Sequence, residues 1–189
     1  MTSTLGLTNV QVSPMTEIAA LSDPEAVREA TLDAVRQRFG RVPNYITELA
    51  GESPAAAQAY VASTFSLAEG ALSDDDRHAV NLATSALNDC TYCLAAHGTV
   101  ARASGLAASE VEALRAGDLP ADPRLRSVVG LVRRLVGKRG WLSDADLAET
   151  EEAGLSRGEV YEVAALVTTK TLANWVNHIA HVEIDPHFQ

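Results

Sequence analysis

Only two cysteines occur in the 189 residues, Cys90 and Cys93, separated by two positions. So few exclude the disulfide framework of a small secreted protein. Aromatic residues make up 5% of the chain, and runs of β-branched and aromatic residues are scarce, which argues against a sheet. No apolar span reaches about 18 residues, so no membrane-crossing helix is expected. The N-terminus has no basic flank leading into an apolar core, as a secretory leader would. Positive charge is short, with 15 Lys and Arg against 25 Asp and Glu and a net charge of −10. Nucleic acid and anionic membrane are therefore poor partners. No Gly-x-Gly-x-x-Gly follows a strand, which removes a nicotinamide site. Together these absences point to the cytoplasm, where paired cysteines are more often catalytic or metal-binding than structural.

What is present is helix former. Apolar residues reach 47%, mostly Ala, Leu and Val, and the pattern predicts an all-α protein of eight or nine helices. Its length fits one domain over 1–189 that buries roughly 70% of its unfolded surface. Residues 1–21, with Leu5, Leu7, Val10, Val12 and Ile18 spaced among polar residues, read as an extended arm. Helix starts follow at Asp23-Pro24, Pro43, Ser53-Pro54, Ser73 and, with Asp89 as cap, at the cysteines. Others open at Ser109-Glu112, Asp122-Pro123, Ser143 and Ser156-Glu159, the last helix running to about Val182 before Asp185-Pro186. Gly51 is expected to close the helix that begins at Pro43. Asp74, Asp75 and Asp76 read as an acidic first turn, not a metal site. Arg124, Arg126, Arg133, Arg134, Lys138 and Arg139 form a basic face, expected to be solvated or to meet acids in an oligomer. Trp141 and Trp175 read as packing anchors.

The chemistry concentrates in Cys90-Thr91-Tyr92-Cys93-Leu94-Ala95-Ala96-His97. Offsets of three, four and seven bring Cys90, Cys93 and His97 onto one helical stripe. Thiols in a first turn face unpaired N–H groups and the positive end of the helix dipole, which favours thiolate. The sulfurs are expected to be acidic, adjacent and reachable by solvent. Redox catalysis, a zinc site and inert core cysteines are the readings open at this point. Zinc needs four ligands, and only His178 or His181 could complete the three offered here. His97 fits a functional role through its one-turn offset from Cys93, and His78 is either a relay member or an ordinary helix residue. Tyr92 reads as packing or as a hydrogen-bond donor near the thiols, and His178 with Asn177 as structural or at a subunit contact. His181 and His187 carry no assignment.

The run from Leu72-Ser73 through Asn88-Asp89-Cys90-Thr91-Tyr92-Cys93-Leu94-Ala95-Ala96-His97 resembles the alkylhydroperoxidase D-like, carboxymuconolactone decarboxylase superfamily. Gly40-Arg41-Val42-Pro43-Asn44 resembles that family's upstream segment. Asn174-Trp175-Val176-Asn177-His178 with Glu183-Ile184-Asp185-Pro186 resembles the tail of its peroxidase-related branch. The resemblance implies an all-helical fold, a trimer or hexamer, and a thiol peroxidase that uses no metal or organic cofactor. It further implies that Cys93 attacks a hydroperoxide, Cys90 resolves the sulfenic acid and His97 serves a proton relay, with an external dithiol as reductant. The family's usual relay glutamate, twelve residues before the first cysteine, is His78 here, and a histidine often found before the second cysteine is Tyr92. A protonated histidine at that place would stabilise a thiolate that a glutamate repels. Two other classes remain: a lyase on a lactone-like substrate, whose relatives generally lack the cysteine pair, and a non-catalytic thiol or metal sensor.

Overall fold

Six helix starts carry the side-chain caps that their sequences promise. The structure, a computed structural model, describes residues 14–19 and 21–189. Asp23, Ser53 and Asp122 each accept a backbone N–H and precede a proline in the first turn, opening α2 (Pro24–Phe39), α4 (Pro54–Ala68) and α8 (Pro123–Gly137). Ser73, Ser143 and Ser156 form reciprocal capping boxes with Asp76, Asp146 and Glu159, opening α5 (Asp74–Leu87), α9 (Asp144–Glu152) and α10 (Arg157–Ala180). The remaining elements are α1 (Pro14–Ala19), α3 (Asn44–Glu52), α6 (Thr91–Ala103), α7 (Ala108–Arg115) and a terminal 3-10 turn over Pro186–Phe188. Among the described residues there is no strand, and the protein is all-α.

Several local expectations need correction. Residues 14–19 of the expected arm are helical, and Ile18 is buried beside Val27 and Ala34; Leu5, Leu7, Val10 and Val12 lie outside the described residues. Gly51 sits inside α3, because the chain reaches Ser53 before turning into α4. Ser109 caps nothing: α7 starts at Ala108 with Ala107 as its uncapped boundary, and Glu110 turns instead to the backbone N–H groups of Ala121 and Asp122. The last helix stops at Ala180, where His181 takes a left-handed conformation with φ 49°. Trp141 and Trp175 are not packing anchors; they are 85% and 60% exposed.

Two apolar cores meet along α10. One surrounds α5, where Val80 and Leu82 pack with Leu114, Val128, Leu131, Val132 and Val163. The other joins Val35 of α2, Tyr45, Ile46 and Leu49 of α3, and Val61 of α4 to the start of α6 and Ala173 of α10. The second core contains both cysteines. Half of the basic face of α8 meets acids within the chain: Arg124 pairs with Asp76 and Glu159, Arg134 with Glu149, and Lys138 with Asp146, while Arg126 and Arg133 donate to backbone carbonyls. Arg124 therefore ties the capping boxes of α5 and α10 to the start of α8. The three consecutive aspartates serve this helix start, as expected.

Candidate active site

The α5–α6 turn determines where the sulfurs go. Asn88 ends α5, and Asp89 adopts φ 53°, a left-handed conformation that Asp tolerates better than most residues. That reversal makes Cys90, not Asp89, the N-cap of α6. Cys90 donates its N–H to Ser85 O at 2.9 Å, while its own carbonyl accepts the first helical bond from Leu94 at 3.0 Å. The Asn88 amide donates to Asn174 Oδ1 at 2.9 Å, which fastens the turn to α10.

Both cysteines are unpaired thiols, and both are enclosed. Cys90 is 0% and Cys93 3% exposed, so the expectation of sulfurs open to solvent is wrong for this conformation. The cover comes from the two ends of the chain's long-range packing. Tyr45 of α3 and Tyr92 of α6 lie over the second core, and Phe188 meets Tyr92 edge-on at 6.3 Å. Tyr92 does more than pack, and its hydroxyl points away from the thiols' chemistry. It donates to Asp185 Oδ2 at 2.6 Å and accepts the Tyr45 N–H at 3.3 Å. Asp185 also accepts the Asn44 N–H, at 3.1 and 3.3 Å.

The two sulfurs share protons. Cys90 falls to about 6, first because the Cys93 thiol donates to its sulfur, against desolvation, and with help from the Cys93 backbone N–H, the Asn174 amide and the charge of His178. Cys90 makes no capping hydrogen bond of ordinary geometry, so the helix end assists without dominating. Cys93 moves the other way: it carries the shared proton and is desolvated, while Lys170 and Asn174 act to lower it. The first proton thus leaves the pair easily and the second is held. Asn177 adds a long contact from Nδ2 to Cys93 Sγ, 3.6 Å, and leaves its Oδ1 buried without a partner among the described residues.

His97 lies one turn beyond Cys93, as its spacing requires, but it is not a cation. Burial, then the neighbouring Lys170 and His78, hold it well below the ordinary histidine range. Its Nε2 meets the Lys170 ammonium, not His78. His78 is likewise lowered by burial, and its Nδ1 is buried without a partner among the described residues. Neither ring is the protonated histidine expected beside the thiolate. The cation is Lys170, 3% exposed, and sequence reading passed over it. Its signal was available: it falls on the buried stripe Val163, Val167, Lys170, Asn174, Asn177 of α10, where a lysine is otherwise out of place. Among the described residues no three His, Cys, Asp or Glu side chains are grouped to hold a metal ion.

Comparison with known proteins agrees with this architecture. Residues 54–134 match the model of the carboxymuconolactone decarboxylase family. No curated protein matches the chain at the level of sequence. The fold is similar to that of an alkylhydroperoxidase D core, a peroxidase-related protein from Ralstonia eutropha JMP134, with 25% identity, TM-score 0.75 and 93% of each chain covered. It is similar also to a peroxidase-related protein from Silicibacter sp. TM1040, with 19% identity, TM-score 0.73 and 97% of each chain covered. A third structure, the debrominase Bmp8 in complex with 2,3,4-tribromopyrrole, has 16% identity and a TM-score of 0.69, with 89% of this chain and 91% of that one covered. Residues 54–134 thus carry the carboxymuconolactone decarboxylase family pattern, and the ten α-helices among the described residues, with a Cys-x-x-Cys at the mouth of α6, form a fold similar to the alkylhydroperoxidase D core.

Proposed function

We propose that the protein is a thiol-dependent peroxidase that reduces hydroperoxides through Cys90 and Cys93. The observation that carries this reading is a pair of free, buried thiols at the start of α6, with Asn177 Nδ2 3.6 Å from Cys93 Sγ and a buried lysine against the ring of His97. Cys93 is the attacking sulfur, since of the two it alone retains exposed surface. It attacks after passing its proton to Cys90, which holds the anion at rest, and Asn177 and the Lys170 charge stand beside Cys93 to receive the charge. Attack on the distal peroxide oxygen forms an S–O bond and breaks O–O, and the alcohol leaves after taking a proton. The Cys90 thiol then displaces water from the sulfenic acid, giving the disulfide. An external dithiol restores both thiols by exchange. His97 relays protons between the pair and the departing oxygen, and His78, whose charge His97 would feel, is the second relay group. No resident cofactor is needed for these steps. A trimer or hexamer is supported by Trp175 and Ile179, 60% and 80% exposed and one turn apart on the outer face of α10. A cytoplasmic setting would supply the dithiol.

A second reading follows from the debrominase neighbour: the same dithiol could reduce a carbon–bromine bond, releasing bromide and forming the same disulfide. Thiol loss on adding stoichiometric hydroperoxide, restored by a dithiol, tests the peroxidase directly, with bromide release from a brominated pyrrole as the competing assay. Cys93→Ser should abolish peroxide consumption, and Cys90→Ser should allow one oxidation without an intramolecular disulfide. Undiminished turnover in Cys93→Ser would overturn the assignment, and a lyase would leave both thiols unconsumed.

A further inference from the structure

We infer that Lys170 is a positioning residue for the dithiol: its buried ammonium supplies the counter-charge to the thiolate and fixes His97 as a neutral ring protonated at Nδ1. The inference deepens the peroxidase reading and rests on it only in taking the thiolate as the working species. The argument begins with what Lys170 lacks. An ammonium that is 3% exposed demands partners, yet none of the ion pairs among the described residues gives it a carboxylate. Its recorded contacts are neutral: His97 Nε2, the Tyr60 hydroxyl at 3.4 Å, and the Tyr60 ring, whose centroid lies 5.8 Å away.

The groups that face this centre are Tyr45 of α3, Tyr60 of α4, His78 of α5, Cys90 and Cys93 at the start of α6, His97 further along it, and His178 on α10 itself. Asp185, the carboxylate buried beside Tyr92, is committed to Tyr92 and Asn44 N–H. A phenol is ordinarily neutral below about 10, and burial pushes Tyr45 and Tyr92 further up. The dithiol is therefore the group that can become the missing anion near neutral pH. Burial opposes the ammonium, but Tyr60 and the two sulfurs outweigh it and hold Lys170 protonated. An ammonium has donors only, so the His97 nitrogen that it touches must be the acceptor, which leaves the ring proton on Nδ1. A second positive charge on that ring would stand against the first.

The test uses the full reduced chain and its Lys170→Met and Lys170→Arg variants, with circular dichroism to establish folding. Ultraviolet thiolate absorbance gives the first thiol midpoint, and carbon-bound imidazole proton resonances give the titration of His97. Lys170→Met should raise the thiol midpoint by about one to two units, so that thiolate at about pH 5 falls tenfold or more. The same variant should raise the His97 titration from its wild-type position, though burial still holds it below the ordinary histidine value. Lys170→Arg should keep both wild-type values. A folded Lys170→Met with unchanged thiol and His97 titrations overturns the inference. If the methionine variant does not fold, nitrogen resonance of the wild-type side chain decides: a neutral Lys170 amine at pH 7 overturns it, and an ammonium supports it. None of these measurements uses peroxide, so failure to turn over hydroperoxide would sink the peroxidase reading alone.

Discussion

Replacing Tyr92 by phenylalanine removes one oxygen from the cover over the thiols, and the structure allows its effect to be worked out. That oxygen donates to Asp185 at 2.6 Å and accepts from Tyr45 N–H at 3.3 Å, all three groups being buried. Its loss removes a hydrogen bond to a charged acceptor, about 1.5–3 kcal/mol, and leaves the Tyr45 N–H unpaired at about 1–3 kcal/mol. Relaxation of the Asp185 carboxylate toward Asn44 N–H, already 3.1 Å away, offsets part of this. A net loss of about 3 kcal/mol lowers the melting temperature of a chain this size by about 6–12 °C. The loss is not spread evenly. Residues 183–188 are held by Asp185, by Asn44 Nδ2 on Glu183 O at 3.1 Å and by Phe188 on the Tyr92 ring, so the C-terminal cover opens first. Alkylation of the reduced thiols should therefore accelerate more for a bulky maleimide than for iodoacetamide. A melting temperature within about 2 °C of wild type, with unchanged labelling by both reagents, would refute the assignment of this cover.

Other consequences concern charge and turn geometry. The reduced protein should gain stability as pH rises from about 6 toward the ordinary thiol range near about 8.5, because folded Cys90 has already lost its proton there while the unfolded thiol has not. Above that range stability should fall, since folded Cys93 keeps a proton that the unfolded chain releases. Denaturant unfolding of wild type against a Cys90→Ala/Cys93→Ala double variant isolates this pair, and a flat difference between about pH 6 and 8 would contradict it. Arg124→Met strips the shared partner from Asp76 and Glu159; with Arg124 itself a third exposed, a loss of about 2 kcal/mol is expected in chemical denaturation. Asp89→Gly should stabilise by about 0.5–1 kcal/mol, because glycine takes φ 53° without strain; destabilisation would mean that the Asp89 side chain supports the turn.

The fold was legible because its helix starts are written locally. Asp23-Pro24, Ser53-Pro54 and Asp122-Pro123 each combine a cap with a residue barred from helix interiors, and Ser73, Ser143 and Ser156 each find an acid three residues on. Ser109 carries the same pattern with Glu112, yet α7 begins two residues before such a cap would place it, and Glu110 is drawn to the 121–122 turn. The cysteine pair was legible for the same local reason. What escaped was everything that reaches the pair from α10. Trp175 reads as a packing anchor of that helix, whereas it and Ile179 lie outside and the inner face near the sulfurs is Lys170, Asn174 and Asn177. Hydropathy reads a polar residue as outward; here those side chains turn inward because the thiols need partners, and the apolar ones are left outside.

That inversion bears on how acidity is achieved. A helix N-terminus contributes about 0.3–1 kcal/mol to an anion, up to about 2 in a partly buried setting. Moving a thiol from its ordinary range to about 6 takes roughly 3–4 kcal/mol, before any desolvation is overcome. At 0% and 3% exposure desolvation opposes both sulfurs, so the end of α6 cannot by itself make this dithiol acidic. The remainder must come from the proton held between the sulfurs and from groups on another helix. A thiolate stabilised in this way also makes its disulfide more oxidising, since the reduced state is the one favoured. At pH 7 the gain is about 1.4 kcal/mol, or about 30 mV for a two-electron couple. Burial and acidity therefore work together here: the enclosure that slows access to the sulfurs is also what gives the charges of α10 their strength, and an opened site would lose both.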